Sequence, residues 1–195
     1  MTRHLQSCKE RFEAQKKEKN EEDVFLFRAG GGPFWVYFEV PANSTLEKVD
    51  SFLRELWLEC CGHLSAFTID DVNYASSPQK EYDDRSMRVM LKNVLRPGMS
   101  FVHEYDFGTT TRLGLKCVSV RKGSKIKGIL VLARNNLPKF ECSICRKPAQ
   151  EICTECAWQG NGLLCAGCAK KHECGEDMLL PVVNSPRMGM CGFTG

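Results

Sequence analysis

Three C-x-x-C pairs, Cys142/Cys145, Cys153/Cys156 and Cys165/Cys168, stand in the last quarter of the chain; Cys174 and Cys191 follow, with His172 beside the first. Two thiolates separated by two residues can grip one metal ion, because the intervening backbone makes a tight knuckle with both sulfurs on one side. Four thiolates, or three and an imidazole, close a tetrahedral zinc shell. A single pair could be a redox motif; three so close together point to metal. Disulfides and an iron–sulfur centre are the alternatives.

Seven residues separate Cys145 from Cys153, and eight separate Cys156 from Cys165. That regular spacing favours a cross-brace, with Cys142, Cys145, Cys165 and Cys168 on one zinc ion and Cys153, Cys156 and a fourth half-site on a second. Sequential pairing of the first four cysteines is the competing arrangement. Cys174-Gly175 and Cys191-Gly192 both read as knuckle turns in which glycine relieves the backbone. Cys174 and Cys191 are therefore expected to complete the second site, with His172 as the alternative ligand. Two ions would hold together a segment too small to bury a core of its own.

Other groups carry weaker signals. Glu104 and Asp106 sit two apart on an alternating segment, so their carboxylates share a side; His103 lies between aromatics. A hydrolase could use these three, but the plainer reading gives Asp106 a turn through Gly108 and Thr109, and His103 a satisfied place in the core. Arg121, Lys122, Lys125 and Lys127 form a basic run that could meet phosphates. With no aromatics between them, a solvated strand connection is the simpler reading. Cys60 and Cys61 have no second pair nearby and read as packing residues.

The elements that must position these groups fit a chain of 195 residues, 43% hydrophobic and 26% charged, with a net charge of +3. Such mild charge does not by itself imply a polyanion partner. The amino terminus enters charged sequence with no apolar signal region, and no run is long enough to span a membrane, so a reducing cytoplasm is expected. Residues 1–22 are polar, with Leu5, Cys8 and Phe12 at helical spacing: a surface helix or leader. Residues 23–135 form the main domain. Val24–Arg28 and Phe34–Val40 read as a hairpin joined through glycines. Ser44 caps a helix, with Glu47 reaching back and Leu46, Val49, Leu53, Leu56 and Cys60 as its stripe. Leu64–Ile69 is a further strand, and Met87–Leu95 keeps helical spacing. Phe101–Phe107 and Leu113–Cys117 make a second hairpin. The alternation switches face after Cys117, which a bulge would explain, and the wholly apolar Ile129–Ala133 reads as a central strand. Residues 136–195 form the cysteine-rich zinc module. The expected fold class is α+β: a mostly antiparallel sheet packed on one main helix, plus the small two-zinc cross-brace.

Two stretches carry a resemblance. Pro97-Gly98-Met99-Ser100-Phe101-Val102-His103-Glu104-Tyr105-Asp106-Phe107-Gly108, running on through Thr109-Thr110-Thr111 to Arg112-Leu113, is one. The other is Leu180-Pro181-Val182-Val183-Asn184-Ser185-Pro186-Arg187-Met188-Gly189-Met190-Cys191-Gly192. Over residues 23–135 the chain resembles the plasmid pRiA4b ORF-3-like family, also labelled TnpR-type passenger proteins of an insertion element. Its cysteine-bearing extension looks like that of a subset of the family. Many members carry an acidic residue and a tryptophan after the Tyr-Asp-Phe-Gly motif, where this chain has Thr109-Thr110-Thr111. The resemblance implies an α+β domain of mobile-element-associated type whose biochemical role is not established. Neither a serine- nor a tyrosine-recombinase pattern is legible. The expected function is a zinc-stabilised, non-catalytic interaction protein with a protein or nucleic-acid partner and no small-molecule substrate. A nucleic-acid-processing enzyme, or a hydrolase using Glu104, Asp106 or His103, is the rival.

Overall fold

Period-two alternation builds the middle of the sheet. In the computed structural model, which describes residues 21–124 and 126–195, strand β1 (Glu21–Gly31) pairs antiparallel with β2 (Phe34–Pro41). Phe25, Phe27, Val36, Phe38 and Val40 are buried in the main core. The helix expected over 1–22 lies, up to residue 20, outside the described residues; Glu21 and Glu22 belong to β1.

Helix α1 (Leu46–Leu53) follows and runs on as one π-helical turn through Arg54–Leu58. Its cap is Thr45, not Ser44: the Thr45 hydroxyl accepts the Lys48 N–H at 3.3 Å. The Ser44 carbonyl is taken instead by the N–H of Leu91, 2.8 Å away. Leu46, Val49, Leu53, Trp57 and Leu58 turn inward against the sheet, and Phe52 meets Phe38 with ring centroids 4.8 Å apart.

The sheet continues with β3 (Ser65–Ile69), β4 (Val72–Ala75), β5 (Arg85–Ser86), β6 (Ser100–Tyr105), β7 (Thr111–Ser124) and β8 (Leu130–Arg134). The order across it is β5-β4-β3-β6-β7-β1-β2-β8, antiparallel throughout except for β4 beside β5. The architecture is α+β, one large sheet with one main helix. A bulge does explain the face switch in β7. Leu26 stands opposite Ser119 and Phe27 opposite Cys117, so Val118 is the extra residue.

Two expectations change. Strand β8 is an edge strand, not a central one, because among the described residues it pairs only with β2. Its Leu130 and Val131 are 44% and 40% exposed, so a run apolar on both faces did not mean burial on both. Only Leu91–Val94 of the Met87–Leu95 segment is helical (α2). Met87 and Val89 instead give their carbonyls to the N–H groups of Glu47 and Leu46 at the start of α1. The apolar spacing there recorded burial, since Met87, Leu91 and Leu95 all join the core.

Candidate metal centres

Beyond β8 the chain builds a second, three-stranded sheet in the order β10-β9-β11 from β9 (Glu151–Cys153), β10 (Leu163–Leu164) and β11 (Leu179–Pro181). Two one-turn helices, α3 (Thr154–Ala157) and α4 (Ala166–Ala169), follow β9 and β10. This unit buries Cys142, Cys153, Leu164 and Ala169, with Cys156, Cys165, Cys168 and Leu179 packed around them. Cysteines make up most of that cluster. Gly162 closes the unit tightly, because a methyl group there would sit 2.6 Å from the Ala157 nitrogen and 2.7 Å from the Cys153 carbonyl oxygen.

The local chemistry of each pair follows from helix ends. Cys153 is the N-cap of α3 and Cys165 the N-cap of α4. The first amide N–H groups of a helix have no partner within it, so each capping sulfur sits beside the positive end of its helix, with no cap hydrogen bond formed. Burial pushes the Cys153 thiol up, but the N–H groups of Cys156 and Glu155, with the His172 ring, outweigh it and bring the thiol down to about 7. Cys142 is likewise opposed by burial, yet the N–H groups of Cys145, Cys165 and Ile144 lower it to about 6. The N–H of Cys168, then the Cys145 thiol, lower Cys165 as well. In the second and third pairs the second sulfur moves the other way because it shares a proton with a neighbour. Cys156, bonded to Cys174, rises to about 11, and Cys168, bonded to Cys145, to about 12. In the second and third knuckles the first thiol is thus lowered, chiefly by backbone N–H groups, and the second raised.

Three groups of side chains bring their ligand atoms within 4.8 Å of one another. Cys142, Cys145, Cys165 and Cys168 form the first, with Cys145 3.5 Å from Cys165 and 3.7 Å from Cys168, sulfur to sulfur. Cys153, Cys156, His172 and Cys174 form the second, with Cys156 3.7 Å from the Cys174 sulfur and 3.5 Å from His172 Nε2. A tetrahedral zinc shell has edges of about 3.8 Å between sulfurs and about 3.6 Å from sulfur to nitrogen, given bonds of about 2.3 and 2.0–2.1 Å. The observed spacings match. First and third pairs come together and the second stands apart, which is the interleaved arrangement, not the sequential one.

Cys191 is elsewhere. It was expected to join Cys174, but it stands with Cys60, Cys61 and His63, forming the third group, and His172 takes the place beside Cys174. The physical reason is the path of the chain after β11. Asn184 exchanges side-chain hydrogen bonds with Asn135, Ser185 Oγ donates to the Trp57 carbonyl at 2.6 Å, and Arg187 reaches Asp106 at 2.6 Å. The last residues therefore lie on the large-sheet domain, out of reach of the second group. Ten of the eleven described cysteines belong to these three groups, and no disulfide occurs among the described residues. Cys117 is the exception, buried in the core with its thiol pushed up to about 12.

The other candidate residues do not converge. His103, fully buried, bonds through Nε2 to Asp50 Oδ1 at 2.7 Å. Glu104 lies across from Arg112 on the neighbouring strand, 3.8 Å away. Asp106 accepts the Gly108 N–H in an Asx turn and pairs with Arg187. Each serves a different partner. Of the basic run, Arg121 is committed to the buried Glu39 by two bonds of 2.7 Å. Lys122 and Lys127 are exposed, and Lys125 lies outside the described residues.

No family model matches the chain, and no curated protein matches it. Among solved structures it is similar to a protein of unknown function, MM3350, from Methanosarcina mazei Go1. The two share 16% identity over 58% of this chain and 69% of that one, with a TM-score of 0.49. Among the described residues no helix is long and apolar enough to cross a membrane.

Sequence reading missed Cys60, Cys61 and His63 as a set. The signal was present in the string Cys60-Cys61-Gly62-His63, three ligand residues in four positions, but its fourth member lies 130 residues away.

Proposed function

We propose that residues Cys142–Cys174 form a two-zinc cross-brace, and that the protein is a non-catalytic interaction protein which uses this module as a rigid platform. The observation that carries the reading is the interleaving of two complete ligand sets in a unit whose buried interior is made mainly of those ligands. Sulfur-rich tetrahedral sites select zinc, and the ions then supply the folding free energy that the small core lacks. A reducing cytoplasm, where such thiols stay available to metal, is the fitting compartment.

A protein partner suits the module better than nucleic acid. Ile144, inside the first knuckle, is 66% exposed and Trp158, just after the second, 69% exposed. Along the module Glu141, Glu155, Glu173, Glu176 and Asp177 alternate with Arg146, Lys147, Lys170 and Lys171, so its charge is mixed in sign and does not favour a phosphate backbone. The main domain we assign to the plasmid pRiA4b ORF-3-like group of mobile-element-associated proteins, supported by the Tyr105-Asp106-Phe107-Gly108 motif and the tail through Cys191.

Metal analysis of the purified full chain, paired with affinity capture from cytosol using the wild type and a Trp158→Ala/Ile144→Ser variant, tests this reading. Zinc bound at the tail, and a discrete protein lost from the variant's eluate, support it. A tail without zinc, or binding to DNA that weakens steeply with salt and depends on Lys122 and Lys127, overturns it.

A further inference from the structure

The third group lies on the large-sheet domain, where the carboxy-terminal end of the chain returns to it. Cys60, Cys61 and His63 occupy the loop after the π-helical turn of α1, and Cys191 arrives from the far end of the chain. Cys61 Sγ is 3.7 Å from Cys60 Sγ, 3.7 Å from Cys191 Sγ and 3.0 Å from His63 Nε2, while His63 Nε2 is 3.3 Å from Cys191 Sγ. The two sulfur–sulfur edges equal, within about 0.1 Å, those of a tetrahedral zinc shell. A neutral imidazole nitrogen has one lone pair or one proton, so it cannot satisfy two sulfurs at once; a cation at the centre satisfies all four atoms together.

The surroundings hold these ligands in place. Glu59 Oε1 accepts the Gly62 N–H at 2.6 Å, and the Tyr105 hydroxyl accepts the N–H groups of Cys60 and His63 at 3.5 and 3.3 Å. Gly62, with φ +80°, lets the chain double back so that Cys61 and His63 face one point. Cys191 itself has φ +47°, followed by Gly192 at +67°. A left-handed cysteine is a conformation that L-residues avoid, and here it delivers the sulfur to the cluster. Three thiolates and a neutral histidine around Zn²⁺ leave one net negative charge, and the Arg187 guanidinium donates to Cys60 Sγ at 3.5 Å. Hydrogen bonds to ligating atoms of this kind orient a metal site and tune its affinity.

We propose that Cys60, Cys61, His63 and Cys191 bind a third zinc ion, a Cys3His site that staples the carboxy-terminal end onto the large-sheet domain. This site is separate from the two-zinc module and depends on residues from both ends of a 130-residue span. None of its ligands is fully buried: Cys61 and Cys191 are exposed, and Cys60 and His63 half-buried.

Native mass spectrometry of the full chain, purified under reductant, counts the ions, and N-ethylmaleimide labelling with peptide mapping says which thiols they cover. The expected result is three zinc ions in the wild type and two in Cys61→Ser/Cys191→Ser, with the tail cysteines equally protected in both. His63→Ala, which leaves every thiol in place, should also carry two. Wild type with two ions, and Cys60, Cys61 and Cys191 alkylated as fast as in an unfolded control, overturns the proposal. So does iron in place of zinc, or a mass 2 Da low that maps to a disulfide among these cysteines. Failure of the two-zinc reading is distinguishable, because it would leave Cys142–Cys174 labelled while the Cys60 group stayed protected.

Discussion

The guanidinium of Arg187 lies 2.6 Å from the carboxylate of Asp106, and the arginine is fully buried. The same guanidinium donates to the Thr109 carbonyl at 2.8 Å and the Thr111 hydroxyl at 3.1 Å, and stands 4.9 Å over the Tyr105 ring. One side chain from the tail thus organises the turn between β6 and β7. Removing one partner of a buried pair strands the other charge, which costs about 3–5 kcal/mol. Arg187→Met is expected to lower the urea midpoint correspondingly, measured by tryptophan fluorescence.

Asp106 also gives the fold an acid limit. Burial pushes its carboxyl up, but Arg187 and the N–H groups of Thr109 and Gly108 prevail and hold it below the ordinary carboxylate range. A group depressed in the folded state contributes stability above its unfolded pKa of about 3.9 and loses it as pH falls through the folded value. Stability should therefore fall below about pH 4, in part through this residue. In Asp106→Asn that part of the slope should vanish. Denaturation midpoints from pH 7 to pH 2 for both proteins check it.

His103 and Asp50 form the link between β6 and α1. Among the described residues His103 Nδ1 has no hydrogen-bond partner, so the bond from Nε2 to Asp50 is the ring's polar anchor. Asp50→Ala would leave both ring nitrogens unpaired in the core, at a cost of about 1–3 kcal/mol. A lowered melting temperature with unchanged zinc content is the expected outcome; lost zinc would show that the helix reaches the metal sites.

The ligand grouping predicts how paired variants combine. Cys145→Ser and Cys165→Ser act on one ion, so together they should lose no more zinc than either alone. Cys145→Ser with Cys156→Ser should lose two. Sequential pairing predicts a different pattern, in which Cys145 and Cys156 share an ion and the second combination loses one. Zinc per chain measured by elemental analysis separates the two.

Chelation should be graded. The site at the Cys60 group, with no fully buried ligand, should empty first under increasing EDTA. The cross-brace follows, and with it the order of β9–β11, because their core is the ligand set. The large sheet, cored by aromatics and aliphatics, should keep its amide protection. Hydrogen exchange along the titration reads all three stages.

The sequence by itself determined the broad fold and most of the candidate ligands. Alternation set β2, β6 and β7, the face switch after Cys117 pointed to the bulge found at Val118, and C-x-x-C spacing marked the knuckles that gather into candidate metal sites, because all three depend on neighbours a few residues apart. Tertiary structure decided the rest. Whether β8 lies at an edge depends on what pairs beside it, and Met87–Leu95 could show helical spacing because burial, not helix, fixed its apolar residues. Cys191 meets Cys60, Cys61 and His63 only because Asn184, Ser185 and Arg187 carry the tail back across the sheet. A contact that spans 130 residues leaves no periodicity to read; it is made by the fold that closes the distance.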